Sequence, residues 1–134
     1  MSTVLEDEVA IRDVITRYCW YTDARALDRL LDLFTDEFVW DGGAIGRFTD
    51  KAAFRAYLSR RQGTALRHFC TNILVDVDGA SAGARCYFLL TVKKDDGLIA
   101  SMAGHYVDRL VKVGDRWRIR SRTLTTDIAA VAID

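Results

Sequence analysis

Two residues in this chain have the types and setting to move protons. His68, one of only two histidines, stands in the stretch Leu66-Arg67-His68-Phe69-Cys70-Thr71-Asn72 at the start of a β-rich segment. Asp23 lies far upstream, just past the end of the first helical pattern. A carboxylate bonded to one imidazole nitrogen fixes the tautomer and makes the ring more basic. The other nitrogen can then take a proton from carbon or oxygen and return it to a departing hydroxyl. The fold is expected to bring Asp23 and His68 together in a pocket. Each residue has a plainer role if taken alone. Asp23 can cap a second helix, and His68 can be a packed ring held by backbone hydrogen bonds.

The rest of the composition narrows the field. A chain of 134 residues, half of them hydrophobic, suits one domain spanning residues 1–134 around a single core. The 19 basic and 19 acidic side chains cancel, which argues against nucleic acid as a partner. No apolar run approaches a membrane span. The start, Met1-Ser2-Thr3-Val4-Leu5-Glu6-Asp7-Glu8, is acidic and unlike a signal peptide, so a cytoplasmic location is expected. Cys19, Cys70 and Cys86 are widely spaced, form no CxxC pair and read as small buried hydrophobes. No spacing among His68, His105 and Cys86 supports a zinc site, so neither metal nor cofactor is expected. Gly42-Gly43-Ala44-Ile45-Gly46 matches no phosphate-binding pattern.

The elements that must position the pair can be read in order. Thr3-Val4-Leu5-Glu6 fits a capping box, and Ile11, Val14, Ile15, Tyr18 and Thr22 recur at helical spacing, so a helix is predicted over 4–22. Asp23-Ala24-Arg25-Ala26 interrupts it. Leu27, Leu30, Leu31 and Phe34 form the apolar side of a second helix, and Thr35-Asp36-Glu37 reads as a turn. Phe38-Val39-Trp40 is a short strand. Thr49 or Asp50 caps a third helix with Phe54, Tyr57 and Leu58 inward and Arg55, Arg60 and Arg61 outward. After Gly63, strands are predicted over 68–77, 82–93, 98–113 and 116–127, separated by short turns. This is an α+β pattern, in which three N-terminal helices cover a curved antiparallel sheet.

These segments resemble the SnoaL-like branch of the NTF2-like superfamily. The resemblance rests on Tyr18-x-x-x-x-Asp23, then Leu27-Asp28-x-Leu30-x-x-Leu33-Phe34-Thr35-Asp36 and Trp40. It continues through Arg67-His68-Phe69-x-x-Asn72, Gly104-His105-Tyr106-x-Asp108 and Gly114-Asp115-Arg116-Trp117-Arg118-Ile119-x-x-Arg122. It covers almost the whole chain and implies a cone, a curved sheet over helices around an apolar cavity. Within the superfamily the motifs are most similar to scytalone dehydratase, hexachlorocyclohexane dehydrochlorinase and bile acid 7α-dehydratase. That similarity implies that Asp23 orients His68, with Tyr18 and Arg122 as further catalytic groups and Trp40 as a pocket aromatic. The chain departs from scytalone dehydratase where Cys86-Tyr87-Phe88-Leu89-Leu90-Thr91-Val92 lacks a second pocket histidine. It shows no match to the oxyanion-hole pair of ketosteroid isomerase. Aromatic-ring dioxygenase small subunits, which are structural partners, also resemble it.

Several alternatives stand beside this reading. Tyr18 can simply pack in the core. Strict alternation puts Arg118, Arg120 and Arg122 on one solvated face, and Arg122 reaches a pocket only if a bulge changes the phase. His105, in phase with Ala103 and Val107, reads as a packed histidine. The aromatic residues Trp20, Tyr21, Phe38, Trp40, Phe54, Tyr57, Phe69, Tyr87, Phe88 and Tyr106 read mostly as core, with Trp40, Tyr57 and Phe88 expected to line the cavity. A small hydrophobic, cyclic molecule is the expected ligand. The expected activity is a dehydratase-type lyase, with an isomerase or a non-catalytic binding or scaffold protein as alternatives. A homo-oligomer, trimer or dimer, is expected through the strand Ser81–Leu90. The tail Ile128-Ala129-Ala130-Val131-Ala132-Ile133-Asp134 is apolar enough to lid the cavity or to swap onto a neighbour.

Overall fold

The computed structural model describes residues 1–60 and 65–129. Arg61, Gly63 and the tail from residue 130 onward, named above, lie outside the described residues. Three α-helices and a six-stranded, curved, unclosed sheet make up the fold.

Helix α1 (Val4–Ala24) starts on the expected capping box. The Thr3 hydroxyl accepts from Glu6 N, and the Glu6 carboxylate accepts from Thr3 N. Its first turn is pinned to the sheet through Asp7, whose Oδ1 accepts hydrogen bonds from Ser2 Oγ, Trp117 Nε1 and Lys112 Nζ. Ile11 and Ile15 are fully buried, each burial stabilising by roughly 1.5–3 kcal/mol. The strip that follows them at helical spacing carries Tyr18, Cys19 and Asp23 toward the sheet. The helix runs past the expected end at residue 22. It stops at Arg25, which adopts the left-handed conformation at φ 57°. Asp23 therefore sits in the last turn of α1 and does not interrupt it. Nor does it cap α2 (Leu27–Asp32), whose N-cap is Ala26.

Strand β1 (Phe34–Asp41) begins earlier than expected, so Phe34 belongs to it and not to α2. The predicted turn at Thr35-Asp36-Glu37 is a bulge inside this strand. From Phe34 to Val39, β1 advances five residues while its neighbour advances only from Ile119 to Ser121. A 3₁₀ turn (Gly43–Ile45), the two-residue β2 (Arg47–Phe48) and α3 (Lys51–Ser59) follow. Asp50 caps α3 by accepting from Ala53 N. Long strands β3 (Leu66–Asp78), β4 (Ser81–Lys94), β5 (Gly97–Val113) and β6 (Arg116–Ala129) form an antiparallel meander. The sheet order is β2-β1-β6-β5-β4-β3, and β1 joins β6 in parallel. That single parallel pairing adds β1 to the expected antiparallel meander of the four long strands. It follows from α3 and the β3–β5 strands intervening between β1 and β6.

The core lies between the helices and the inner sheet face. Phe34, Phe38, Trp40, Phe48, Phe54 and Tyr57 pack ring against ring at one end. Tyr18, Phe88 and Tyr106 pack beneath them. Three aromatics expected in the core are instead exposed: Trp20 on α1, Phe69 on β3 and Tyr87 on β4. Phe69 and Tyr87 alternate with inward neighbours and so point to the outer face of the sheet.

Candidate active site

The last turn of α1 and the first residues of β3 face each other, and there Asp23 meets His68. Asp23 Oδ1 lies 2.6 Å from His68 Nδ1. The other carboxylate oxygen, Oδ2, accepts from the His68 backbone N–H at 2.9 Å. One carboxylate thus holds both the ring and the strand that carries it. The side chains are 11% and 8% exposed, which limits competition from water. With Nδ1 engaged, Nε2 is the nitrogen left for chemistry. It has no hydrogen-bond partner among the described residues.

His68 stands in the wall between two spaces. Inside the cone it joins Tyr18, Thr22, Trp40, Tyr57, Phe88 and Tyr106 around an apolar cavity of about 30 Å³. That volume holds about one water molecule, so a ring-sized ligand requires the lining to part. Thr22, Ile45, Tyr57, Leu58, His68 and Met102 are the half-buried members of the lining, and of these Ile45, Tyr57, Leu58 and Met102 are the apolar or aromatic ones where such a parting costs least packing. Toward the outside, His68 and Asp23 border a larger open groove of about 670 Å³ between α1 and β3.

Trp40, Tyr57 and Phe88 all line the inner cavity. Tyr18 lines it too. Its hydroxyl accepts from Trp40 Nε1 at 3.1 Å, and its own proton has no acceptor among the described residues. Burial raises the Tyr18 hydroxyl above the usual phenol range, against the opposing pull of Arg122.

Arg122 is fully buried, and the reason is a bulge in β6. Leu110 pairs with Ile119 while Arg109 pairs with Ser121, so Arg120 is the extra residue. Trp117 and Ile119 point inward before it, Arg122 and Leu124 after it. Arg118 and Arg120 do not share the Arg122 environment. Directly across on β5, Asp108 takes the guanidinium in two parallel bonds of 2.7 Å each, Nε to Oδ1 and Nη2 to Oδ2. The Tyr18 and Tyr106 rings lie on the guanidinium at 4.1 and 3.9 Å. Burial opposes the Arg122 charge, but the adjacent Asp108 outweighs it and holds the guanidinium well above its ordinary value. Arg122 therefore stands behind Tyr18 and Tyr106 and is not part of the cavity wall. Nη1 has no partner among the described residues.

Asp108 was missed as the partner of Arg122. Its signal was available, since a carboxylate two residues after Tyr106 and two before Leu110 shares their inward phase and needs a cation there. His105 is not packed in the core. It lies half-exposed on the outer sheet face, bonded to Asp127 at 2.6 Å, away from His68.

Comparison with known proteins agrees with this architecture. The family model of the SnoaL-like domain matches residues 3–123. An NTF2-like protein with a cystatin-like fold from Novosphingobium aromaticivorans superposes with TM-score 0.85 at 20% identity, covering 95% of this chain and 86% of that one. A candidate scytalone dehydratase from the same organism gives TM-score 0.85 at 22% identity, covering 97% and 91%. The β subunit of a candidate aromatic-ring-hydroxylating dioxygenase, again from that organism, gives 0.84 at 23% identity, covering 98% and 95%. At these identities the likeness establishes the fold. No curated protein matches the chain in sequence.

Proposed function

The chain belongs to the SnoaL-like domain family, and from that premise we propose that it is a cofactor-independent lyase of the dehydratase type, with His68 as general base and Asp23 as its orienting carboxylate. The carrying observation is the double hold of Asp23 on His68, at 2.6 Å through the ring and 2.9 Å through the backbone. The substrate class is a small hydrophobic ring bearing an activated C–H next to a carbon that carries a hydroxyl. Nε2 removes the proton, charge develops on the activating oxygen, and the hydroxyl leaves as water after taking the proton back from the imidazolium. Tyr18 donates its free O–H to the developing charge, and Arg122 acts through Tyr18 by lying on its ring. Trp40, Tyr57 and Phe88 supply the apolar wall.

A panel of cyclic β-hydroxy ketones, incubated with the full chain and followed by mass, tests this. Loss of water that disappears in His68→Gln supports elimination. An isomerase on the same pair yields a product of unchanged mass. Equal turnover by the wild type and His68→Gln removes the dyad from the reaction.

Two observations favour a second reading, a non-catalytic scaffold. The inner cavity of about 30 Å³ is nearly filled by its own side chains, and the fold is shared with the dioxygenase β subunit described above. Stable co-purification with a larger oxygenase subunit, together with inertness toward the ketone panel, supports that reading.

The outer sheet face exposes Phe69, Leu74, Tyr87, Leu89 and Val107 on neighbouring strands β3, β4 and β5. We propose that copies of the chain associate through it, as a dimer or trimer. Sedimentation of the wild type against Tyr87→Glu checks this, and an unaltered monomer in both contradicts it. No helix among the described residues is long and apolar enough to cross a membrane.

A further inference from the structure

Three cysteines scattered through the sequence converge in the fold. Cys19 Sγ on α1 and Cys70 Sγ on β3 lie 3.1 Å apart, and the buried Cys86 on the neighbouring strand β4 is close enough to Cys70 to influence its thiol. All three are free thiols. The convergence follows from the same α1–β3 match that builds the dyad. Cys19 and Asp23 are one helical turn apart, while Cys70 and His68 are two residues apart on the same face of the strand. Asp23–His68 and Cys19–Cys70 are thus consecutive rungs of one ladder.

The thiols are neither sealed off nor equivalent. Cys19 and Cys70 both line the open groove of about 670 Å³, with the exposed Trp20 beside them. The hydrogen bond with Cys70 holds the Cys19 thiol below its ordinary value, and the nearby Arg122 charge favours the thiolate further. The bond with Cys19 pushes Cys70 up to about 12. A thiol pair this close lets one sulfur ionise while its neighbour keeps a proton.

We propose that Cys19 and Cys70 are a peroxide-sensitive thiol pair that closes reversibly into a disulfide between α1 and β3, one rung from the Asp23–His68 pair. The Cys19 thiolate attacks one oxygen of hydrogen peroxide. The O–O bond breaks, Cys19 becomes a sulfenic acid, and hydroxide leaves. The Cys70 sulfur then attacks the Cys19 sulfur, the S–O bond breaks, and a second hydroxide departs. The protons from the two thiols convert both hydroxides to water. Two thiols are oxidised by two electrons in total, and the peroxide is reduced to two waters. The sulfurs must approach by about 1 Å to reach a bonded separation of about 2.05 Å. A dithiol reverses the step by exchange.

The test uses the full-length chain, hydrogen peroxide as the only oxidant, and intact-mass and peptide mapping. The expected result is the loss of two hydrogens, one remaining free thiol at Cys86, a Cys19–Cys70 cross-linked peptide, and full recovery with dithiothreitol. Cys86→Ser should still form the link and Cys19→Ser should not. The proposal is overturned if all three thiols survive peroxide that oxidises a free cysteine peptide. It is also overturned if the cysteines oxidise singly without linking, or if the link joins Cys86 in place of Cys19. The wild-type mapping decides even if a variant fails to fold. Because the readout is mass, it stands whatever reaction the dyad performs.

Discussion

The Asp23 carboxylate bonds the His68 ring through one oxygen and the His68 backbone N–H through the other. The pair therefore fastens β3 onto α1 as well as forming the proposed catalytic dyad, and a variant can separate the two roles. Asp23→Asn retains an acceptor oxygen for one of the two bonds but loses the charge that supports imidazolium. Activity on a substrate identified from the ketone panel should fall by about 10²–10⁴-fold, while the thermal midpoint drops only modestly. Comparing kcat and Tm for the variant and wild type checks this, and a proportional loss of both assigns Asp23 a structural role alone.

Arg122 and Asp108 are both inaccessible to solvent, so neither can be removed cheaply. Asp108→Asn leaves a buried guanidinium without its counter-charge and should destabilise by about 3–5 kcal/mol. The double change Arg122→Met with Asp108→Leu should cost less than either charge-removing single change, because no charge is then left unpaired. Urea unfolding of Asp108→Asn, Arg122→Met, Asp108→Leu and the double variant measures this. Additive losses contradict it.

Gly104 lies where β5 passes under the Phe88 ring. A Cβ at this position would sit 2.0 Å from the Thr125 backbone oxygen and 2.8 Å from the ring. A backbone atom cannot swing away as a flexible side chain does. Gly104→Ala should therefore cost about 1–3 kcal/mol and displace Phe88 from the cavity wall. Urea unfolding, with a crystal structure of the variant, provides the check. An alanine accepted at no cost and with Phe88 in place contradicts the packing described.

Asp7 ties the start of α1 to the sheet, and its carboxyl is held below the ordinary value of 3.8, chiefly by the hydrogen bond from Trp117 and next by that from Ser2. A depressed folded-state value favours the native state above about pH 4. This contribution is lost as pH falls through the lowered value. Asp7→Asn should remove that part of the acid dependence, so the stability gap between wild type and variant narrows below pH 4. Equilibrium unfolding across pH 2–7, with pH-independent stability differences, decides against it.

How much of this was legible in the sequence depends on whether the information was local or cross-strand. The capping box at Thr3, the helical spacing of Ile11, Ile15 and Tyr18 and the four strand segments are local patterns. They predicted the α+β architecture. The meeting of Asp23 with His68 came from a family resemblance, since spacing alone equally allowed Asp23 to cap α2. The inward turn of Arg122 depended on a bulge at Arg120, which only pairing with β5 reveals. The same holds for the bulge at Thr35–Glu37, where turn-forming residues mark an irregularity inside a strand. The convergence of Cys19, Cys70 and Cys86 required the α1–β3–β4 register and had no sequence signal. Trp20, Phe69 and Tyr87 are exposed against expectation, because hydrophobicity alone does not say which face of a helix or a sheet meets the core.

The ¹⁵N shifts of the His68 imidazole test the central claim most directly, with His105→Gln used to assign the two rings. The account predicts a proton on Nδ1, bonded to Asp23, and a bare Nε2 in the wild type, with that preference lost in Asp23→Asn. A proton on Nε2 in the wild type, or the same tautomer with and without the carboxylate, would contradict it.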